Sequence, residues 1–196
     1  MLATILMKHR MDRSEAKEIV ATNELKNLSN ERKIQILEEN YWWFNEKVAI
    51  KESIEEGSYP KIPDSFIEFI HKTPNPILTK ETEILLIDFL KFKLKYTTNL
   101  YLKTQLDIIN PNIQNNVIGE VEIAGLCPCC EYYSIDYGED GFWDICSVCF
   151  WENGGDGPNH MTLENAKSNF LEFGAIDKES LNYVDKEAKR KYKKKL

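Results

Sequence analysis

Apolar positions recur at spacings of three and four through the first half of the chain, the period of helices that lay one face on a core. Asp12, with Glu15 three residues on, has the form of a capping box opening a helix that carries Ala16, Ile19 and Val20. Residues 23–28 read as a break, and Ser29 caps a second helix whose Ile34, Leu37, Tyr41 and Phe44 form one stripe. Trp42 and Trp43 are adjacent, about 100° apart on a helix, so both cannot face the centre of that stripe. One of them is a candidate contact residue. Prolines at 60, 63, 74 and 76 leave room for one short helix over residues 64–71. Thr79 caps a helix apolar over most of its circumference (Ile84, Leu85, Ile87, Phe89, Leu90, Leu94), which is predicted to be central. After an interruption at Thr97 and Thr98, a further helix with Leu100, Leu102, Leu106 and Ile109 runs to Pro111 and completes an α-hairpin.

Beyond Pro111 the period drops to two. Val117, Gly119, Val121 and Ile123 fall on one side of a predicted strand over residues 117–123, with Glu120 and Glu122 on the other. That strand leads into Cys127-Pro128-Cys129-Cys130, and Cys146-Ser147-Val148-Cys149 follows after fifteen intervening residues. The segment between has two strand-like runs around a Gly/Asp turn at 138–141, which predicts a β-hairpin connecting the two cysteine hooks. A glycine-rich loop follows Cys149. Thr162 then caps a last helix with Leu163, Ala166, Phe170 and Phe173, and Gly174 ends it. The predicted class is α+β, with a helical N-terminal domain at residues 1–116. A small zinc-ribbon-like β-hairpin module with its C-terminal helix follows at 117–177, and a basic tail, either an independent helix or frayed, at 178–196.

Two C-x-x-C hooks place two sulfurs each on one side of an ion, and four thiolates complete a tetrahedral shell about 2.3 Å from zinc. Cys127, Cys130, Cys146 and Cys149 are the predicted ligands, and with all four places filled by cysteine the zinc is structural. Cys129 is left over, as a small buried hydrophobe or as a reactive thiol. On the loop after the second hook, His160 with Glu152 and Asp156 offers acid–base chemistry or a second metal site, while the plainer reading has Asn159 and His160 orient the loop and cap the next helix, with Glu152 and Asp156 as an acidic rim. No nucleophile with an evident base and no phosphate-cradling glycine motif accompanies them.

The runs CPCC, FWDICSVCFWENGG and GPNHMTLENAKSNFLEFGA resemble the bacterial cysteine-rich CPCC domain family over residues 126–175. The family usually has glycine where this chain has Glu131, and proline and an acidic residue where it has Ser147 and Asn153. That glycine relaxes the turn beneath the metal. The resemblance implies no enzymatic activity and, because some members lie near secreted-toxin genes, an immunity-type role.

At 196 residues, 42% hydrophobic and 29% charged, the chain is long and apolar enough to fold without disulfides. The net charge of −7 conceals a contrast, since residues 185–196 hold seven Lys/Arg against two Asp/Glu, and the remainder stands at −12. An acidic body repels nucleic-acid phosphate and favours a basic partner. The apolar run at residues 2–7 is too short for a signal peptide and has its charges behind it, and no stretch reaches the length of a membrane span. The cytosol, where thiols stay reduced, is the predicted compartment. Three functional classes follow, in this order. The first is a non-enzymatic binding protein that meets a basic toxin domain through Trp151, Glu152 and Asp156 together with Trp42 and Trp43. The second is a nucleic-acid-binding zinc ribbon, disfavoured by a hairpin without Lys or Arg. The third is an enzyme using Cys129 or the Glu152/His160 loop.

Overall fold

The helix caps written in the sequence organise the first part of the chain. The Asp12 carboxylate accepts the Ser14 N–H at 2.7 Å and opens α1 (Arg13–Asn27), and the Ser29 hydroxyl accepts from the Arg32 N–H at 3.2 Å to open α2 (Asn30–Leu37). The break predicted at 23–28 narrows to residues 28–29. No Gly or Pro interrupts the stretch, and Leu25, one turn after buried Ala21, is itself buried, so α1 runs on. The computed structural model describes residues 7–43, 47–57, 59–136, 144–154 and 159–196. The chain divides into two units, one of residues 1–95 and 102–119, the other of residues 96–101 and 120–196. Among the described residues no helix is long and apolar enough to cross a membrane.

In the first unit α2 passes into one π turn over Glu38–Trp42 and buries Ile36, Leu37 and Tyr41, whereas Ile34 is only half-buried. Phe44 lies outside the described residues. The Tyr41 ring meets Tyr59 and Phe89 edge-on at 6.1 Å each. A helix that the sequence reading did not assign, α3 (Lys47–Glu55), contributes buried Ile50, and α4 (Asp64–Lys72) contributes Ile67 and Ile70. The Thr79–Thr82 capping box opens α5 (Lys80–Lys93), whose Leu85, Leu86 and Leu90 pack chiefly on α1 and α2. Ile84 stays exposed, so α5 is apolar on one face and not all round. Buried Arg13 donates to the carbonyls of Leu94 and Lys95 at 3.3 and 2.9 Å, placing a cation on the negative end of α5. Helix α6 follows over Asn99–Ile109.

The strand predicted at 117–123 occupies Ile113–Ile118 (β2) and pairs in parallel with β1 (Met7–Asp12), from Met7↔Ile113 to Asp12↔Ile118. Its inward residues are Asn115 and Val117. Asn115 interrupts the apolar alternation, yet it is buried at no loss because its backbone and side-chain N–H groups both donate to Asp107 Oδ1, at 3.3 and 3.2 Å.

The second unit carries β3 (Gly125–Leu126), β4 (Tyr133–Ile135), β5 (Asp144–Ile145), β6 (Glu152–Asn153), α7 (Leu163–Phe173) and α8 (Ala188–Lys191). Among the described residues β3 pairs with β4 and β5 with β6, both antiparallel. Each cysteine hook is thus the turn of its own hairpin. The predicted turn at 138–141 lies outside the described residues. Thr162 caps α7 by accepting from the Asn165 N–H, and Gly174, at φ 97°, closes it in the left-handed region that glycine adopts freely.

The basic end is neither independent nor frayed. Tyr133 N–H donates to the Lys193 carbonyl at 2.9 Å and Lys195 N–H to the Glu131 carbonyl at 2.8 Å, so residues 193–195 lie as an extended edge beside β4. Residues 96–101 belong to this unit as well. Thr98 N–H donates to the Lys191 carbonyl, Tyr96 Oη to the Asp136 carbonyl and Tyr101 Oη to Glu187, at 2.8, 2.7 and 2.9 Å.

Candidate metal centre

Two turns of the same construction build the site. In the first, Cys127 N–H donates to the Tyr132 carbonyl at 2.8 Å and Glu131 N–H to the Cys127 carbonyl at 3.0 Å. In the second, Cys146 N–H donates to the Trp151 carbonyl at 2.8 Å and Phe150 N–H to the Cys146 carbonyl at 2.7 Å. The residue after each hook must turn left-handed to close such a bend, and Glu131 and Phe150 do so at φ 61° and 69°. This is the position where the resembled family carries glycine after its first hook, and the backbone supplies the reason.

The turns bring together the four cysteines that the spacing singled out. Cys127, Cys130, Cys146 and Cys149 are buried, and their Sγ atoms all lie within 4.8 Å of one another. Cys127 Sγ stands 3.7 Å from Cys149 Sγ, and Cys130 Sγ 3.6 Å from Cys146 Sγ. A disulfide would need about 2.05 Å. Four thiolates around a zinc-sized ion at about 2.3 Å would stand about 3.8 Å apart, so the donors fit a tetrahedral shell. Hydrogen bonds from Cys127, Cys130 and Cys149 and from the Ser134 hydroxyl hold the Cys146 thiol far below its ordinary range. Hydrogen bonding with Cys127 and its other neighbours pushes Cys149 far above that range, and Cys130 likewise.

Around the sulfurs, Val148 N–H points at Cys146 Sγ at 3.4 Å and the Ser134 hydroxyl lies 3.0 Å from the same atom. Ser134 escaped the sequence reading, and its only signal was a hydroxyl inside the strand that leaves the first hook. The Ile176 N–H holds the Cys149 carbonyl and the Asp185 N–H the Ser147 carbonyl, both at 2.9 Å. Val148, Ala166, Phe170 and Ile176 close the core around the cysteines. Cys129 is buried in the same core but is not one of the four convergent sulfurs.

The other sequence-predicted site residues fall in both units. Trp151 is half-buried against the cysteine core, and Glu152 in β6 is held through its backbone by Asn159, at 2.8 and 3.0 Å. Asn159 therefore does orient this loop, while the cap of α7 falls to Thr162. His160 is exposed at φ 52°. Asp156 lies outside the described residues. In the first unit Trp42 Nε1 donates to the Thr73 carbonyl at 2.8 Å, and Trp43 is 70% exposed.

A pair of hairpin turns presenting four buried cysteines at tetrahedral spacing makes a cysteine-rich module that could hold a metal ion. In agreement, residues 125–191 match the family described as cysteine-rich CPCC. No curated protein and no solved structure matches the chain.

Proposed function

We propose that the chain is a non-enzymatic binding protein shaped by one structural zinc ion, and that it works in the immunity manner, neutralising a basic toxin domain by direct binding in the cytosol. The closed sulfur shell carries this reading, because four buried cysteine donors leave no coordination place for water or substrate. A tetrahedral sulfur set suits zinc or iron, and zinc would contribute folding free energy without redox chemistry.

The charge distribution supports a basic partner. The metal-bearing unit holds fifteen Asp/Glu against nine Lys/Arg, whereas the helical unit holds seventeen against sixteen. The acidic excess therefore sits on one unit, where opposite charge would steer association. Much of the basic end is already engaged within that unit. Lys191 pairs with Asp185 at 2.6 Å, Arg190 with Glu187 at 3.0 Å, and the Lys189 and Lys194 ammonium groups lie over the Phe170 and Tyr132 rings at 4.8 and 5.8 Å. These cations are less available for phosphate than the sequence alone suggests.

Metal analysis after dialysis tests the first half, with one zinc per chain expected and none in a Cys127→Ser/Cys146→Ser double variant. Undiminished metal in that variant, or no stoichiometric metal in the native chain, refutes it. For the second half, a pull-down from the native host with flanking genes expressed should recover a basic protein whose activity the chain suppresses. Tight binding to DNA or RNA with no such protein would replace this reading by the nucleic-acid one.

A further inference from the structure

The turn that ends α2 leaves the α-helical path, since Trp43 N–H donates to the Glu38 carbonyl five residues back, at 3.0 Å. Such π turns are rare and recur at functional positions. Here the widened turn sets Trp42 and Trp43 beside Gln35, Glu38 and Glu39 around an open notch of about 520 Å³. Trp42 is fixed twice, through its Nε1 bond to the Thr73 carbonyl and by the Phe69 ring standing edge-on at 6.2 Å and 89°. Trp43 is 70% exposed. Glu39 is partly neutralised by Arg32 at 3.5 Å and Gln35 Nε2 at 2.6 Å, whereas Glu38 forms no ion pair with the described residues.

We propose that this notch is the docking site for an arginine side chain presented by the partner protein. An indole face attracts a guanidinium, a carboxylate beside it with no ion pair among the described residues supplies a charge-assisted bond, and the apolar stem of the arginine lies along the indole. A neutral or anionic group would meet the same rings without compensation for Glu38. The helical unit is almost balanced in charge, so the selectivity here comes from the local pairing of indole with carboxylate. The inference rests on the proposed function only for the protein nature of the partner. The metal centre takes no part in it.

The test uses the metal-loaded full chain, with the indole N–H resonances followed by NMR while N-acetyl-arginine methylamide is added. Its neutral isostere, N-acetyl-citrulline methylamide, serves as the second probe. Saturable shifts of the Trp42 and Trp43 signals are expected, with affinity about five-fold lower for citrulline. Glu38→Gln should reduce arginine to the citrulline level, and Trp43→Ala should abolish the Trp42 shift while the remaining amide spectrum is retained. Equal affinity for both probes, or an unchanged Trp42 titration in Trp43→Ala, overturns the proposal. So does sedimentation showing a dimer that Trp43→Ala converts to monomer, because a second copy then fills the notch. Zinc content measured on the same samples keeps the two readings apart, since loss of metal with arginine binding intact sinks only the structural-zinc reading.

Discussion

Replacing Glu131 by glycine should stabilise the metal-bearing unit, which few substitutions next to a buried site do. Glu131 sits at φ 61°, and its structural contributions come from the backbone, with the N–H given to the Cys127 carbonyl and the carbonyl taken by Lys195 N–H. Its side chain is exposed. A non-glycine residue in the left-handed region costs about 1–2 kcal/mol, whereas the extra freedom of glycine in the unfolded chain costs about 0.4–1 kcal/mol. The net expectation is a gain of about 0.5–1 kcal/mol. Phe150 has the same backbone conformation at φ 69°, but its ring stacks on Tyr183 with centroids 5.3 Å apart and packs on the cysteine core. Losing a half-buried aromatic side chain costs about 1–2 kcal/mol and its ring stacking about 0.5–1.5 kcal/mol more, so Phe150→Gly should lose about 1–2 kcal/mol net despite relief of the same strain. Thermal unfolding of the zinc-loaded proteins reads both, at about 4–8 °C per kcal/mol for a unit of this size. A lower midpoint for Glu131→Gly, or a higher one for Phe150→Gly, would show that the left-handed bend is not the strained element of the hook.

Cys129→Ala should keep one metal per chain, because its neighbours supply the four convergent sulfurs; loss of metal from this single variant in elemental analysis would mean that the first hook uses a different pair. Trp151→Ala removes a half-buried indole from the cysteine core and should cost about 2–4 kcal/mol in denaturant unfolding; a variant with unchanged stability but lost partner binding would instead make Trp151 a contact residue. Chelation should abolish slow amide exchange around the two hooks while α1 and α5 stay protected. Simultaneous loss of protection in both units would show that the metal holds the whole chain together.

What the sequence disclosed was local in character. The caps at Asp12, Ser29, Thr79 and Thr162 and the stop at Gly174 act within one helical turn, and all five fall where the residues place them. The four cysteines were legible because a C-x-x-C turn is a local geometry repeated twice. Pairings between distant segments were not. The β1–β2 pair joins residues more than a hundred positions apart, and buried Asn115 hides its alternation behind a hydrogen bond to Asp107 that no pattern of apolarity reports. The short pairs that flank each hook, β4 with β3 and β5 with β6, were missed similarly, because strands of two or three residues are too short to show a period. The π turn before Trp43 likewise leaves no periodic trace, since it shifts a stripe by one residue just where the stripe ends.

The threading of the chain bears on how such a module travels between genes. Residues 96–101 lie with the metal hooks, but the next eighteen residues return to the helical unit before the hooks begin. A recombination point near residue 120 would carry off all four cysteines and the family-matching segment. It would leave behind Tyr96, Thr98 and Tyr101, and with them the donors to Asp136, Lys191 and Glu187. The transplanted piece would lack the three hydrogen bonds that residues 96–101 give it. In this chain the hooks and residues 96–101 therefore belong to one unit although eighteen residues of the helical unit separate them in sequence.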